Sequence, residues 1–418
     1  MLSSPKAASV PRRIRKYRNE QTMTETNAKA YFDAHRDEFV DWRHELHRNP
    51  ELAFEEHWTA DFVAEKLQSF GYEVDRGLGG TGVVATWGSG NGPVVGLRAD
   101  MDALPIDEQT NLAYASTKPG KMHACGHDGH MTMLLAAAKY FADQARPEDG
   151  TVRFIFQPAE EGYAGADRMI RDGLFERFPC DTVYGLHNWP GLETGAFAAR
   201  IGPQMAAYDI FEIKLTGQGA HAAMPHLGRD MLLAASHLAT QLQSIVSRSI
   251  DPQDTAVVSV TQIHGGDAWN VLPPEVVLRG CTRHFTPQAQ DLVEARMGEI
   301  CRGVATAFGI EVALDYRRTY PPTVNSAAET ETSLEAARAL VGAEHVSDTL
   351  PASMASEDFA FMLKEKPGCY IWLGAGSTEG GKLLHSPSYD FNDDILTLGA
   401  AYWVEIARHG LGALKSAA

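Results

Sequence analysis

The chain has no uninterrupted apolar run approaching the ~20 residues that a helix needs to cross a bilayer, so no membrane partner is expected. It is sparing in cysteine. The five present, Cys125, Cys180, Cys281, Cys301 and Cys369, are odd in number and widely spaced. That pattern suggests no disulfide framework and points to a reducing, cytoplasmic compartment. Basic charge is short as well: 37 Lys and Arg stand against 54 Asp and Glu, a formal net charge of -17. Nucleic acids and anionic membranes need a basic face, so nucleic acid is not an expected partner either. There is neither an internal repeat nor a low-complexity tract.

One basic cluster exists, Arg12, Arg13, Arg15, Lys16 and Arg18, and no apolar stretch follows it as a secretory signal would require. Residues 1–28 read as a disordered extension, with Met23 as the natural start.

The rest reads as globular: 44% hydrophobic and 22% charged residues over a length that exceeds one ordinary core, hence two domains. Helical spacing marks AYFDAHRDEFVDWRHELH and TADFVAEKLQSFGY. Between helices lie short continuous apolar runs, GVVATWG, PVVGLRAD, TVRFIFQ and TVYGLHNW, as expected of strands buried on both faces of an α/β sheet. Several of these strands end in chemistry, at Arg98 to Asp100, at Glu160 and Glu161, and at His187 and Asn188. Ligands of open α/β sheets sit beyond such ends.

After residue 206 the pattern alternates. YDIFEIKLTG, DMLLAASHLATQLQSIV, TAVVSVTQIHGG, EVVLRGCTRHF, QDLVEARMGEICRGVATAFG and IEVALDYR run β-α-β-β-α-β, a ferredoxin-like unit. The division expected is a large α/β domain in two pieces, 29–206 and 319–418, with a central mixed sheet flanked by helices and GCYIWLGAG as a central strand. The ferredoxin-like domain, 207–318, is inserted between them.

KMHACGHDGH, residues 121–130, is dense in groups that hold a metal or a proton. Cys125 and His127, two apart in an extended loop, would point the same way and suit zinc or its neighbours. They could equally be a buried thiol beside helix-capping groups. Glu160 and Glu161 on an extended segment would point opposite ways, one toward a metal and one toward a substrate, or they could belong to a solvated loop. His187 and His385 are each ambiguous alone. Together, Cys125, His127, Glu161, His187 and His385 suit two divalent metals sharing a water, with Glu160 free to act as general base.

The motifs GLRADMDALP, MHACGHDGHM, FIFQPAEEG, GLHNWP, GQGAHAAMPH, NVLPP, SEDFAFM and LHSPSYDFND, in this order over residues 40–410, resemble one family. It is that of the dinuclear metal-dependent amidohydrolases and exopeptidases related to aminoacylase and glutamate carboxypeptidase. The branch is that of hippurate hydrolase, N-acyl-L-amino acid amidohydrolase and auxin-amino-acid conjugate hydrolases. The resemblance implies that Cys125, His127, Glu161, His187 and His385 bind two divalent ions, zinc by default, with manganese, cobalt or nickel also open.

It further implies that Glu160 activates a hydroxide bridging the metals and that Asp102 orients the site. His221 reaches a neighbouring subunit's site to stabilise the oxyanion, while Asn270 and Arg283 hold substrate, Arg283 by its carboxylate. The ferredoxin-like domain becomes a lid and a homodimerisation surface, and its two connections act as hinges. The expected reaction is cleavage of the amide of an N-acyl-L-amino acid, hippurate-like or N-acetylated; dipeptidase or carboxypeptidase cleavage is the alternative. The chain departs from the wider family in reading Asp100-Met101-Asp102 where other branches carry a histidine ligand, and it adds Cys125. Two rival classes are a thiol hydrolase, with Cys125 as nucleophile and His127 or His130 as base, and a non-catalytic binding protein.

Overall fold

The computed structural model describes residues 25–88, 91–144 and 150–417. Most of the expected N-terminal extension, with its basic cluster, lies outside them. The first helix, Glu25–Ala34, begins four residues before the expected start of ordered chain at Lys29.

Eight strands form the large sheet in the order Val74–Leu78, Gly82–Gly88, Thr151–Gln157, Val94–Asp100, Thr182–Pro190, Gly368–Gly376, Phe197–Ala198 and Val346–Ser347. The middle four are parallel, and Gly82–Gly88 adds antiparallel. The middle strands are almost wholly buried, which is why they read as continuous apolar runs rather than alternating ones. On one face pack the helices His127–Asp143, Leu396–Ala417 and Arg36–Arg48. On the other lie Gly165–Arg171 and Phe359–Glu365, through Ala166, Met169, Phe359 and Met362.

Strand Val94–Asp100 has its next strand, Thr151–Gln157, on one side and the one after, Thr182–Pro190, on the other. Consecutive crossovers therefore leave in opposite directions and open a crevice beyond the carboxyl ends of these strands.

The alternating segment forms a second sheet in the order Ala256–His264, Glu275–His284, Ala207–Thr216 and Glu311–Tyr320, all antiparallel. Helices Met231–Ser244 and Pro287–Phe308 cover one face of it and bury their own core. This is the ferredoxin-like strand order that the alternation predicts. Its helices start where capping chemistry allows. Asp230 accepts the Leu233 N–H and Thr286 the Ala289 N–H, and Gly309 closes the second helix at φ 61°. The two chain connections run side by side, because Gly202–Met205 pairs antiparallel with Thr323–Asn325.

Candidate metal centre

The loop 121–130 is not extended, as its spacing suggests. Gly126 turns it at φ 96°, and His127 is already the first residue of the helix that ends at Asp143. A Cβ at Gly126 would lie 2.4 Å from Asn188 Oδ1, so only glycine fits this turn. Cys125 and His127 still converge. With His187 they form a buried group whose ligand atoms lie within 4.8 Å of one another. Cys125, Glu161 and His385 form a second such group sharing Cys125, and His127, Glu160 and Glu161 a third. The five residues read as ligands, and the proposed base, therefore meet at one place.

Local bonding sets the tautomers. His127 Nδ1 lies 2.8 Å from the Asp102 carbonyl oxygen and His187 Nδ1 2.6 Å from that of Asn188. A carbonyl oxygen only accepts, so in the neutral ring each Nδ1 carries the proton and each Nε2 the lone pair, the form in which imidazole binds a metal. His187 Nε2 sits 3.3 Å from Cys125 Sγ. His127 Nε2 is buried without a hydrogen-bond partner. Glu161 Oε1 is buried without one too, though His385 Nε2 is 3.2 Å away. Leaving such atoms dry and unpaired is costly, and a soft-to-intermediate set of N, O and S donors is what zinc and its neighbours take. The residues fit a metal site. His385, half exposed with its backbone at φ 62°, forms its open side.

Glu160 and Glu161 also differ from expectation: they are not on an extended segment. Ala159 is left-handed at φ 56°, and the two glutamates lie in a tight, non-helical turn that runs on through Gly162 at φ 88°. The cause is Asp102. Its Oδ1 accepts the Glu160 N–H at 2.9 Å and its Oδ2 the Glu161 N–H at 3.0 Å, which gathers two consecutive donors onto one carboxylate. Tyr320, at the end of the second sheet, donates its hydroxyl to the Glu160 carbonyl at 2.6 Å and accepts the Ala164 N–H.

Beneath the turn lies a buried ionic cluster whose role the sequence does not disclose. Arg98 bridges Asp100, Glu357 and Asp358 at 2.8–2.9 Å and bonds Gln157. Tyr370 donates its hydroxyl to Glu357. His130 is held between Asp100 and Asn188, 2.6 Å from each. Asp100, where a histidine ligand stands in other branches, is thus tied to Arg98 and His130. All of these residues but Tyr370 sit in the quoted motifs, but their partners are up to 260 positions away, out of reach of spacing arguments.

Charge is crowded here. Burial, then Glu357, Glu161, Asp358 and Asp102, push the Glu160 carboxyl well above the usual range. Burial opposes a charged His127, but Asp100 and Asp102 outweigh it and raise the imidazole to about 10, so a metal taken at Nε2 displaces a proton from it. Burial and the neighbouring acids Glu161 and Glu160 push the Cys125 thiol well up. That disfavours a free thiolate nucleophile. The imidazole in contact with the thiol is His187, not the His127 or His130 that a thiol hydrolase was expected to use.

The remaining predicted residues lie on the second sheet and its ribbon. His221 and Asn270 come together on a two-stranded ribbon, where Val271 pairs with His221 and the Asn270 carbonyl accepts the Ala222 N–H. Both are exposed. Arg283 stacks on Tyr208 at 4.1 Å and donates to Ser356 Oγ at 2.9 Å, next to Glu357. It therefore spans the junction between the two sheets.

Residues 96–409 match the peptidase family M20/M25/M40. The chain is 43% identical over 371 residues to hippurate hydrolase of Campylobacter jejuni, covering 88% of this chain and 96% of that one. It is 42% identical over 305 residues to N-acyl-L-amino acid amidohydrolase of Geobacillus stearothermophilus, covering 72% and 82%. Among solved structures, a Bacillus subtilis protein described as a dinuclear metal binding peptidase of the M20 family superposes with a TM-score of 0.78. It is 32% identical over 92% of this chain and 99% of that one.

Proposed function

This chain belongs to peptidase family M20/M25/M40, and we propose that it hydrolyses the amide bond of N-acyl-L-amino acids to a carboxylate and a free amine. The observation that carries this is the convergence of Cys125, His127, Glu161, His187 and His385, with the Nε2 of His127 buried and without a hydrogen-bond partner and the Oε1 of Glu161 facing His385 Nε2 at 3.2 Å. These five residues hold the metals in this reading, zinc or else manganese, cobalt or nickel. A pair of divalent ions supplies Lewis acidity toward the amide carbonyl and makes water acidic enough to attack at neutral pH.

The chain's own groups do the rest. Glu160 takes the proton of the attacking water and returns it to the leaving nitrogen. Its backbone is pinned on both sides, by Asp102 at the N–H and Tyr320 at the carbonyl, so its carboxyl is held in place before substrate arrives. Arg283 has the fork geometry for the free carboxylate of the amino acid.

His221 and Asn270 act from the ferredoxin-like unit, which serves as lid and dimer surface. The residues beside them support this. Met224, Leu227, Trp269 and Val271 are large, apolar and exposed, Trp269 completely so. A second copy would cover them and carry His221 to its neighbour's site, where the ring stabilises the tetrahedral oxyanion. The five cysteines are all unpaired, with Cys125 among the metal-holding groups, which supports a reducing cytoplasm. Among the described residues no helix is long and apolar enough to cross a membrane.

The test is metal content together with hydrolysis of N-benzoylglycine, several N-acetyl-L-amino acids and a dipeptide, before and after chelation and with each metal restored. Metal-dependent cleavage of the N-acyl substrates is expected. Cleavage of the dipeptide alone would turn the reading to a peptidase. Cleavage that survives chelation would overturn it.

A further inference from the structure

The hydroxyl of Tyr320 stands inside a hydrogen bond that the glutamate turn would otherwise make with itself. In an α-helix the N–H of residue 164 would donate to the carbonyl of residue 160. Here the Ala164 N–H donates to the Tyr320 hydroxyl at 2.9 Å, and that hydroxyl donates to the Glu160 carbonyl at 2.6 Å. One group fills both halves of a split helical bond. The turn between them stays non-helical, with Glu161 at ψ 70° and Gly162 at φ 88°. A side chain inserted into the helical ladder opens it in this way. The closing bond that the turn does make with its own chain is a wider one, from the Gly165 N–H to the Ala159 carbonyl at 3.0 Å.

Tyr320 does not belong to the large sheet. It is the last residue of Glu311–Tyr320 in the ferredoxin-like unit, and Pro321 and Pro322 stiffen the chain directly after it. Its buried ring meets Tyr208 at 6.4 Å and Phe361 at 6.0 Å, both edge to face. Tyr208 is the strand partner of Arg283, whose guanidinium lies over the Tyr208 ring at 4.1 Å. An unbroken line of contacts therefore runs from Arg283 through Tyr208 and Tyr320 to the backbone of Glu160. A second line leaves the same arginine. Arg283 donates to Ser356 Oγ at 2.9 Å, and two residues on, the Asp358 N–H donates to Glu160 Oε1 at 3.4 Å.

We propose that Tyr320 is a positioning residue that couples the grip of Arg283 on the substrate's carboxylate to the place of the general base. This rests on the amidohydrolase reading above and adds to it how the site reads that carboxylate. A carboxylate that draws Arg283 toward itself shifts the surface on which Tyr208 packs, and Tyr208 sets where the Tyr320 hydroxyl stands. With the hydroxyl seated, the turn is held open and Glu160 is in place. With the hydroxyl withdrawn, residue 164 bonds residue 160 directly and carries the base away. The free carboxylate is then read in turnover and not in binding alone.

The experiment compares N-acetyl-L-methionine with N-acetyl-L-methioninamide, which differ only in the carboxylate. Wild type is set beside Tyr320→Phe and Ser356→Ala, each with its metal loaded. Wild type should show the higher kcat on the carboxylate substrate. In Tyr320→Phe that kcat should fall on the order of tenfold, the scale of a small misplacement of the base. The kcat ratio of the two substrates should then approach one, while their KM ratio, set by Arg283, stays as in wild type. Ser356→Ala should keep both ratios. Equal kcat losses on both substrates in Tyr320→Phe would leave Tyr320 as a mere support of the turn. Loss of the kcat ratio in Ser356→Ala alone would route the coupling through the other line. Either result, or equal kcat on the two substrates in wild type, would overturn the proposal.

A second readout needs no turnover: the crystal structure of Tyr320→Phe. The Ala164 N–H should lie within hydrogen-bond distance of the Glu160 carbonyl. A water in place of the hydroxyl, with the turn unchanged, would overturn the proposal. A turn that closes as expected, in a protein whose wild type cleaves neither substrate, would uphold the role of the hydroxyl and count against the amidohydrolase reading alone.

Discussion

The carboxylate of Glu56 accepts the backbone N–H of Ala159 at 2.9 Å, and so fixes the residue that places Glu160. Glu56 is fully buried, and its other oxygen accepts the Thr81 hydroxyl at 2.6 Å. Burial, then the nearby charge of Asp102, raises its carboxyl to about 7, so a neutral form is well populated at neutral pH. Three consecutive N–H groups, at residues 159, 160 and 161, thus rest on two carboxylates. Glu56→Ala leaves the first donor buried and unpaired, a cost of about 1–3 kcal/mol, and frees a left-handed alanine to relax. Its kcat should fall by more than about tenfold with a lower melting temperature, because a small misplacement of the base is expensive. Glu56→Gln keeps an acceptor for Ala159 and should retain most of kcat. A Glu56→Ala enzyme with wild-type kcat would remove Glu56 from the positioning chain.

Behind the cysteine-histidine loop, His47 Nδ1 lies 2.8 Å from Asp128 and Nε2 3.3 Å from Glu108, while Arg43 also reaches Asp128, Asp390 and Asp393. Burial opposes the charged ring, but the bonds to Asp128 and Glu108 prevail and lift it from 6.5 to about 9. A base whose folded value is raised stabilises the fold fully below its unfolded value. That stability is lost as pH climbs from about 6.5 through 9. The shift corresponds to a contribution on the order of 3 kcal/mol. His47→Gln should therefore melt lower than wild type at pH 6 and show a shallower decline toward pH 9. Parallel pH slopes for the two proteins would show that His47 is not the titrating group.

The residues that converge as candidate ligands were legible because they are rare types set in the loops and at a strand end of one sheet. Cys125, His127, His187 and His385 stand out wherever they fall, and the alternation of YDIFEIKLTG and its neighbours is a direct imprint of a sheet covered on one face. Less visible was what turns the chain. Glu160 and Glu161 read as an extended pair because nothing local reveals that Asp102, 58 positions earlier, collects their N–H groups. Arg98 with Glu357 and Asp358, and Glu56 with Ala159, are contacts between segments 100 to 260 residues apart, which no periodicity encodes. Two-residue strands such as Ala220–His221 and Val271–Leu272 are too short to leave a pattern, so the ribbon that unites His221 and Asn270 emerges only in the fold.

Asp102 offers a separate test of how the two glutamates are held. Asn at this position has one acceptor oxygen for two N–H donors, and its amide nitrogen would face one of them. The change also removes the charge 3.5 Å from His127 Nδ1. Asp102→Asn should weaken metal retention about 10–100-fold and lower kcat, since His127 and Glu160, the proposed ligand and base, both lose their anchor. Metal retention equal to wild type, measured by competition with a chelator, would confine Asp102 to a role in folding.

Metal binding and proton transfer can be separated by thermal unfolding. A ligand that binds only the folded chain stabilises it by about 2.7 kcal/mol at a concentration a hundred times its dissociation constant. Chelation should therefore lower the melting temperature of wild type, and restored zinc or manganese should raise it again. His187→Ala and His385→Ala each delete a proposed ligand atom and should shrink that metal-induced rise. Glu160→Gln should keep it, because the carboxyl of Glu160 is read as a proton carrier and only its neighbour Glu161 as a ligand. Turnover in Glu160→Gln should nonetheless be abolished, since an amide cannot accept the proton of water. A Glu160→Gln protein that turned over normally would sink the assignment of the base. One that lost the metal-induced rise would move Glu160 into the ligand set, a move that its place in the His127, Glu160 and Glu161 group makes a real alternative.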